Sequence, residues 1–588
     1  MYKDNPTLRY FDAEMRYLRE AAQEFAKQFP EQAAQLNLDK PGAADPVVER
    51  LFQGFAFSMG RLREKLDDDL PELTEGLVGL LWPQYLRAIP SLTIVELKPD
   101  ITQMKGNLTL AKGFEVLSQP VGSKPTQCRY RTTQDLELRP LTVESLNHGL
   151  DSHNRPLLRV RIARAAHVAW SEINLANITA YLHAQESQAN ALLRALTLHT
   201  QGVYLTVAGR ERVKLEGRIK VGGFRDEERL WPTGGAGFSG YQLLLEYFSF
   251  REKYMFVQLC GVESANITGE ALWFELEVML SEPWADEWPL SSDLLNLHAV
   301  PAINLFPLDS DPLTLDPFQT DYLLRSRQLQ RGHVEIYSVD RVCTSARSAP
   351  REYVPFSAFQ HKGGMLQSES PERYFHTRLK RGASGLHDTW LVLGGDGFEE
   401  DRRDKPERLS LQLTGTNGLL PCKVLHGTLL DTPGKVTEVD VKVRNLCPPS
   451  LPCYPPEGDR FHWQIFSHLG STFLPMLDSA EVLRGTLALY EWTGSEANRR
   501  RLQAIVKVEH FLLERFEGGY LLRGVDIVVT LDPSGFTGEG DVMVFGEILN
   551  RFFALYADIH LFNQLTLLME PAGKNLRWKE NHSKRIPG

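Results

Sequence analysis

The apolar residues Leu8, Phe11, Met15, Leu18, Ala22, Phe25 and Phe29 recur in alternating steps of three and four, a spacing that a helix turns into one continuous stripe. Glu14, Arg16, Arg19 and Glu24 fall outside it. From Pro6 to Phe29 such a helix runs roughly 35 Å at about 1.5 Å per residue, longer than its own small domain needs. The stripe is therefore a candidate seam for packing against another chain as well as against its neighbours. Asp45 offers an N-cap and Pro46 the first helical position, and Val48, Leu51, Phe55, Met59, Leu62 and Leu66 carry a second stripe. Pro71, with Glu72 and Glu75, opens a third helix containing Leu77 and Leu81.

From Ser91 the pattern changes to short β-rich runs at Leu92 to Leu97, Asn107 to Leu110, Glu115 to Leu117 and Arg129 to Arg131, punctuated by Gly and Pro. Ala180 to Leu198 reads as a strand feeding a short helix, ahead of a strand at Val203 to Val207. Stretches at Pro283 to Pro289, Asp309 to Pro317 and Cys447 to Gly458 read as linkers or surface loops. After them Phe461 to Tyr490 and Val542 to Leu561 read as helical and Val525 to Leu531 as a strand. The fold class expected is α+β: a helical region over 1–90, a β-rich, sandwich- or barrel-like domain with an inserted short helix over 91–300, a second β-rich domain over 301–454, and a mixed C-terminal domain over 455–588. A chain of 588 residues exceeds the roughly 250–300 residues at which one hydrophobic core stops growing.

Composition narrows the function. With 42% hydrophobic and 24% charged residues, the chain has ample material for packed cores. A formal net charge of -10 opposes a phosphate backbone as the main partner, because that contact needs Lys and Arg to displace counterions. Arg499, Arg500 and Arg501 form the one basic cluster, read as the solvated face of a helix that starts near Ser495. The N-terminus lacks the apolar core of a signal peptide, and runs such as Leu243 to Leu245 are far short of the roughly 20 residues that span a bilayer. Neither secretory export nor membrane insertion is expected. The six cysteines are dispersed, which fits reduced thiols in a cytoplasm rather than a disulfide framework.

Reaction chemistry is hard to find. Gly234 to Gly237 and Gly394 to Gly397 lack the Lys-Ser/Thr pair of a phosphate loop. Ser239 and Ser384 lack the second glycine of a nucleophile elbow. Cys422, Cys447, Cys453 and His462 contain no Cys-x-x-Cys clip, and Ser467 and His468 are adjacent, so on a helix they point apart. Asp309, Asp311 and Asp316 lie among prolines as turn formers. One enzymatic alternative stands: a β-rich carbohydrate-binding or glycan-hydrolysing protein using Asp309 and Asp311, with Trp284 and Trp288 as a sugar platform. No cofactor, metal or catalytic residue is assigned.

Several segments in chain order carry a resemblance. Leu8 to Leu18 (LRYFDAEMRYL), Trp82 to Ser91 (WPQYLRAIPS), Gly240 to Phe248 running into Phe250 and Lys253, Ile303 to Phe306, Glu335 to Asp340, Trp463 to Leu469 and Phe545 to Tyr556 resemble blocks of the TssF (VasA/ImpG) family of type VI secretion baseplate proteins. Thr414 to Pro421 and the tail after Trp578 depart from the family pattern. The resemblance implies a non-enzymatic wedge subunit, similar to phage-tail baseplate wedge proteins, in a cytoplasmic baseplate docked at the inner membrane complex. Its implied partners are TssG, TssK, TssE, a second copy of TssF, the VgrG spike and the Hcp tube and sheath. The seam from Leu8 to Phe29 is then the candidate face for bundling with the smaller partner, TssG.

Overall fold

The computed structural model describes residues 83–582 apart from 123–124, 208–210, 233–238, 266, 268–270, 317–318, 320, 328, 330–331, 345–350, 356–372, 383–385, 395–407, 425–427, 457–473, 518–519 and 557–560; before Pro83 it describes Phe11, Met15, Arg16, Leu18, Ala22, Val47, residues 50–59 and Val78. The chain divides into two compact units, residues 1–81 with 456–467 and residues 82–455 with 468–588. In the first unit every described residue of 1–81 is helical, and residues 50–59 form a continuous helix, α1. Most of the helical region expected over 1–90 lies outside the described residues.

The larger unit is built mainly from antiparallel sheets. One six-stranded sheet has the order Leu430–Pro433, Glu115–Val121, Thr126–Thr132, Ala299–Ile303, Leu92–Pro99 and Val441–Asn445. Leu92–Pro99 is buried at all but one position, as its apolar run suits a central strand. Its register places Val95 beside both Val300 and Asn445. The sheet therefore draws strands from the segments 91–300 and 301–454 alike. Its core gathers Val95, Leu97, Val116, Tyr130, Val300 and Val441. An eight-stranded sheet over Phe306 to Thr416 has a second core around Phe306, Val342, Tyr353, Leu391 and Leu411.

Between them in sequence lie a five-stranded sheet, with Trp273–Leu280 paired to Thr200–Val207 and Pro156–Arg164, and a four-stranded sheet containing Ile178–Leu182 and Phe256–Leu259. Helix α2, Glu186–Thr197, follows Ile178–Leu182 directly, which is the strand-to-helix passage expected from the sequence. It buries Ala189, Leu192, Leu193 and Leu196, the 3/4-spaced side. Helix α3, Ser239–Ser249, was not expected inside a β-rich segment.

Near the C-terminus, α4 (Ala480–Ala488) and α5 (Glu496–Gln503) precede a long hairpin, Ile505–Glu517 and Tyr520–Leu531. Helix α6, Glu539–Tyr556, then crosses to Leu561–Met569, which pairs parallel to Tyr520–Leu531. A parallel pair needs such a crossover. Val542, Phe545, Ile548, Leu549, Phe552 and Phe553 of α6 are all buried, so the helix is enclosed rather than amphipathic. At Gly546 a Cβ would lie 2.2 Å from the Trp578 ring and 2.6 Å from Leu567; only the absence of a side chain lets Trp578 lie flat there, with its indole N–H donating to Glu547 at 2.7 Å.

His298, immediately before the strand Ala299–Ile303, is buried, and its Nε2 lies 2.9 Å from the Arg139 carbonyl oxygen. Burial, reinforced by the charges of Arg139 and Lys98, holds its imidazole down at about 4, against an ordinary 6.5. Between those values the unfolded chain binds more protons than the folded one, so stability rises with pH across that window and is lost as pH falls through it. The contribution is about 3 kcal/mol. Urea midpoints measured from about pH 7.5 down to about 4 are expected to fall more steeply for the native chain than for His298→Gln; parallel curves would remove this residue from the acid response.

Candidate assembly surfaces

Among the described residues of the N-terminal unit, helix α1 carries exposed apolar side chains. Leu51, Phe55 and Met59, each four residues from the last, are 66%, 56% and 36% exposed, and Phe57 is 54% exposed, whereas Ala56 is fully buried; the helical Val47 ahead of them is 65% exposed. Residues four apart stack along one helix face. Large apolar side chains exposed over successive turns mark a surface that another molecule covers. Leu51, Phe55 and Met59 belong to the second stripe read from the sequence. Of the first stripe, Phe11, Met15, Leu18 and Ala22 are helical; Met15 is buried and the other three are partly buried. Leu8, Phe25 and Phe29 lie outside the described residues.

The larger unit has a different character, because its segments are locked to one another. Tyr85, from the segment Trp82 to Ser91, packs against Tyr241 of α3 and Tyr490 after α4, and the last two stack with centroids 4.7 Å apart. Phe552 of α6 meets Tyr241 at 5.9 Å. All four rings are buried, so segments that span most of the chain share one aromatic cluster. Glu246 on α3 and Lys253 in the 3-10 turn that follows it, Arg251–Tyr254, form an ion pair whose side chains are 1% and 2% exposed. Glu246 also accepts from the Leu230 amide and the Gln242 side chain, both at 2.9 Å. Such pairing is the condition under which a carboxylate and an ammonium survive away from water.

A second polar centre joins α2, α5, α6 and the turn after α3. Arg501 donates to Asp541 at 2.9 Å and to Glu186 at 3.0 Å, and Arg251 reaches Glu186 at 2.6 Å. Arg501 and Asp541 are 2% and 1% exposed. Burial pushes the Asp541 carboxyl up, while Arg251 and the Thr537 amide pull it back. The basic cluster is thus not uniformly a solvated face: Arg499 pairs with Glu496 in solvent, but Arg501 points into the body. A third centre is the pair Asn304 and Asn417. The Asn304 side chain donates to the Arg129 carbonyl and to Asn417, and accepts from the Thr416 hydroxyl and the Asn417 amide. It fastens the end of the six-stranded sheet to the start of the eight-stranded one.

The candidates for chemistry are placed as follows. Trp284 is buried, with its indole N–H donated to the Trp288 carbonyl at 2.8 Å, so it offers no open face to a sugar ring. Asp309 ends the strand Phe306–Asp309 on its exposed side. Cys447 accepts from the Ile94 amide at 3.2 Å, and Cys128, Cys447 and Cys453 are pushed up by burial, to about 12, 12 and 11; these thiols stay protonated and pack as small apolar groups. Ser239 opens α3. Gly234 to Gly237, Ser384, His462, Ser467 and His468 lie outside the described residues. Among the described residues no group of three His, Cys, Asp or Glu side chains could hold a metal ion, and no helix is long and apolar enough to cross a membrane.

Comparison with known proteins matches this arrangement over its length. Residues 3–585 match the family model "Type VI secretion system, TssF". The type VI secretion system component TssF1 of Pseudomonas aeruginosa is 28% identical, covering 99% of both chains. Among solved structures, a chain of the TssK-TssF-TssG baseplate subcomplex, determined by cryo-electron microscopy, is 53% identical, superposes with a TM-score of 0.82, and covers 92% of this chain and 100% of its own. A chain from the baseplate complex of the type VI secretion system is 51% identical, with a TM-score of 0.68 over 99% of this chain and 100% of its own.

Proposed function

This chain belongs to the type VI secretion system TssF family, and from that premise we propose that it is a structural wedge component of the baseplate, assembling with TssG and TssK. The observation that carries the reading is its near full-length likeness, at 53% identity, to a chain of a TssK-TssF-TssG subcomplex. The locked polar and aromatic centres of the larger unit suit a part that transmits force, since a packed interior switches between discrete arrangements rather than deforming continuously. The role is scaffolding rather than catalysis.

In this reading residues 1–90 supply the bundle with TssG, through the seam Leu8, Phe11, Met15, Leu18, Ala22, Phe25 and Phe29 and the exposed stripe of α1. The β-rich segments 91–300 and 301–454 and the mixed segment 455–588 form the body that meets TssE, a second copy of TssF, the VgrG spike and the Hcp tube and sheath. The baseplate sits in the cytoplasm and docks at the inner membrane complex.

Co-expression with TssG and TssK followed by native mass spectrometry tests the reading. The native chain is expected in a complex with both, and a chain that binds neither defeats the proposal. Phe55→Asp puts a charge on the exposed stripe and Leu18→Asp one in the seam, where an unpaired charge is costly to bury. Both are expected to lose TssG. Phe55→Asp should keep the circular dichroism of the native chain, because Phe55 is already exposed; unchanged TssG binding by both variants would take this face out of the bundle.

A further inference from the structure

A groove of about 410 Å³, within the roughly 300–1,000 Å³ of pockets that hold a ligand, is lined by two sheet edges. One is Ile219–Val221, which pairs with Phe256–Leu259 at the edge of the four-stranded sheet; the other is Lys574–Arg577, which pairs with Leu561–Met569. Met543 and Val544 of α6 also line it. The two edges alternate in the same way. Ile219 and Val221 are half-buried with Lys220 exposed between them, and Leu576 and Trp578 are half-buried with Arg577 exposed between them; all six residues line the groove. The first edge also presents backbone groups. The Gly222 amide donates to the Phe256 carbonyl at 2.8 Å, and hydrogen-bonded pairs alternate along an antiparallel ladder. Lys220 and Gln258 are therefore the next bonded pair, and the backbone groups of Ile219 and Val221 point away from the sheet.

We infer that the groove seats an extended segment of a partner protein in which apolar and acidic residues alternate, added as a strand along the Ile219–Val221 edge. That edge is the better template, because all three of its residues line the groove, whereas only the last two of Lys574–Arg577 do. Side chains on neighbouring strands share faces with a period of two. An added strand thus lays every second side chain beside Ile219 and Val221 and the others beside Lys220. Charge selects what those others are. The lining holds three cations, Lys220, Arg551 and Arg577, against one carboxylate, Glu547. Glu547 is engaged by Arg551 at 2.6 Å and by the Trp578 indole N–H at 2.7 Å, and Arg551 lies over the Phe224 ring. Lys220 has no ion pair among the described residues, and Arg577 donates to the uncharged Gln564 at 2.7 Å. These two cations at the rim fit carboxylates, while the half-buried apolar walls fit aromatic or aliphatic side chains. An edge of three residues is too short to template open-ended pairing, so affinity rests on the pocket and the rim as much as on the main chain.

The test uses the purified full-length chain and two labelled hexapeptides, one alternating glutamate with phenylalanine and the other lysine with phenylalanine, followed by fluorescence anisotropy. The native chain is expected to bind the glutamate peptide at least about tenfold more tightly, since like charges set against each other are costly. That preference runs against the formal net charge of -10, which by itself would draw the lysine peptide. Lys220→Glu combined with Arg577→Glu, both at exposed positions, should reverse the preference without altering circular dichroism. Methylating every second amide of the glutamate peptide separates main-chain pairing from side-chain capture: one phase of methylation should abolish binding and the other should spare it. A native chain that binds neither peptide, or both equally, overturns the inference. So does a charge-reversed variant that keeps the native preference, or binding indifferent to both phases of methylation. Neither TssG nor TssK is present in the assay, so this inference and the wedge reading fail independently.

Discussion

Arg501→Met is expected to destabilise the folded chain by about 3–5 kcal/mol, one of the two largest single-site losses anticipated here. The substitution keeps an apolar stem of similar length but leaves Asp541, 1% exposed, without its closest cation. Arg251 stands 3.7 Å from the other Asp541 oxygen and also serves Glu186, so it offsets only part of the loss. The lost contact is not what makes the change severe; a stranded buried charge is. Arg501→Met combined with Asp541→Leu should therefore be more stable than Arg501→Met alone, since removing both partners of a buried pair is often close to neutral. Urea denaturation of the three chains decides the matter. A single variant within about 0.5 kcal/mol of the native chain would behave as an ordinary surface change and would deny the network its role.

Lys253→Met should match it in size, for the same reason and with a different local signature. Glu246 would keep its bonds from Leu230 and Gln242 but lose its only ammonium partner within the cluster, again at about 3–5 kcal/mol. Because Glu246 sits on α3, the strain falls on that helix and its seat against Tyr254 and Phe545, both touched by Tyr247. Amide hydrogen exchange across residues 239–249 is expected to quicken before the sheets lose protection, as sub-global opening precedes global unfolding. Uniform loss of protection throughout the larger unit would show that the pair holds no local element.

Much of the local structure was legible. The apolar run of Leu92 to Leu97 and the strand-to-helix passage after Ala180 correspond to Leu92–Pro99 and α2, and the helical reading of Val542 to Leu561 corresponds to α6 as far as Tyr556, whereas Leu561 already opens a strand. These elements announce themselves because side-chain period and local propensity act within one or two turns. Helix α3 was missed because Tyr241, Leu243, Leu244, Leu245, Tyr247 and Phe248 form a nearly continuous apolar run, which periodicity cannot tell from a buried strand. The hairpin strand Ile505–Glu517 was missed because it mixes Lys507, Glu509, Glu514 and Arg515 among its apolar residues, and its exposed half has no buried face to impose alternation.

Absence of a recognisable reaction motif and the acidic charge balance could be read from the residues alone, and collinear family blocks added the machine. Which buried groups answer one another could not. Arg501 looked like part of a solvated cluster because nothing near it in sequence contradicts that; its partners Asp541 and Glu186 are 40 and 315 residues away. Leu92–Pro99 could be recognised as a buried strand from its own composition, yet only the fold chose Ala299–Ile303 and Val441–Asn445 as its neighbours. A period of two specifies which faces are apolar but carries no address for the partner strand, and a charged side chain carries no mark of whether another will reach it. The sequence by itself thus determined the kinds of element and the kind of protein. Tertiary structure decided which distant segments meet, because those choices rest on packing and desolvation that arise only once the chain has closed around them.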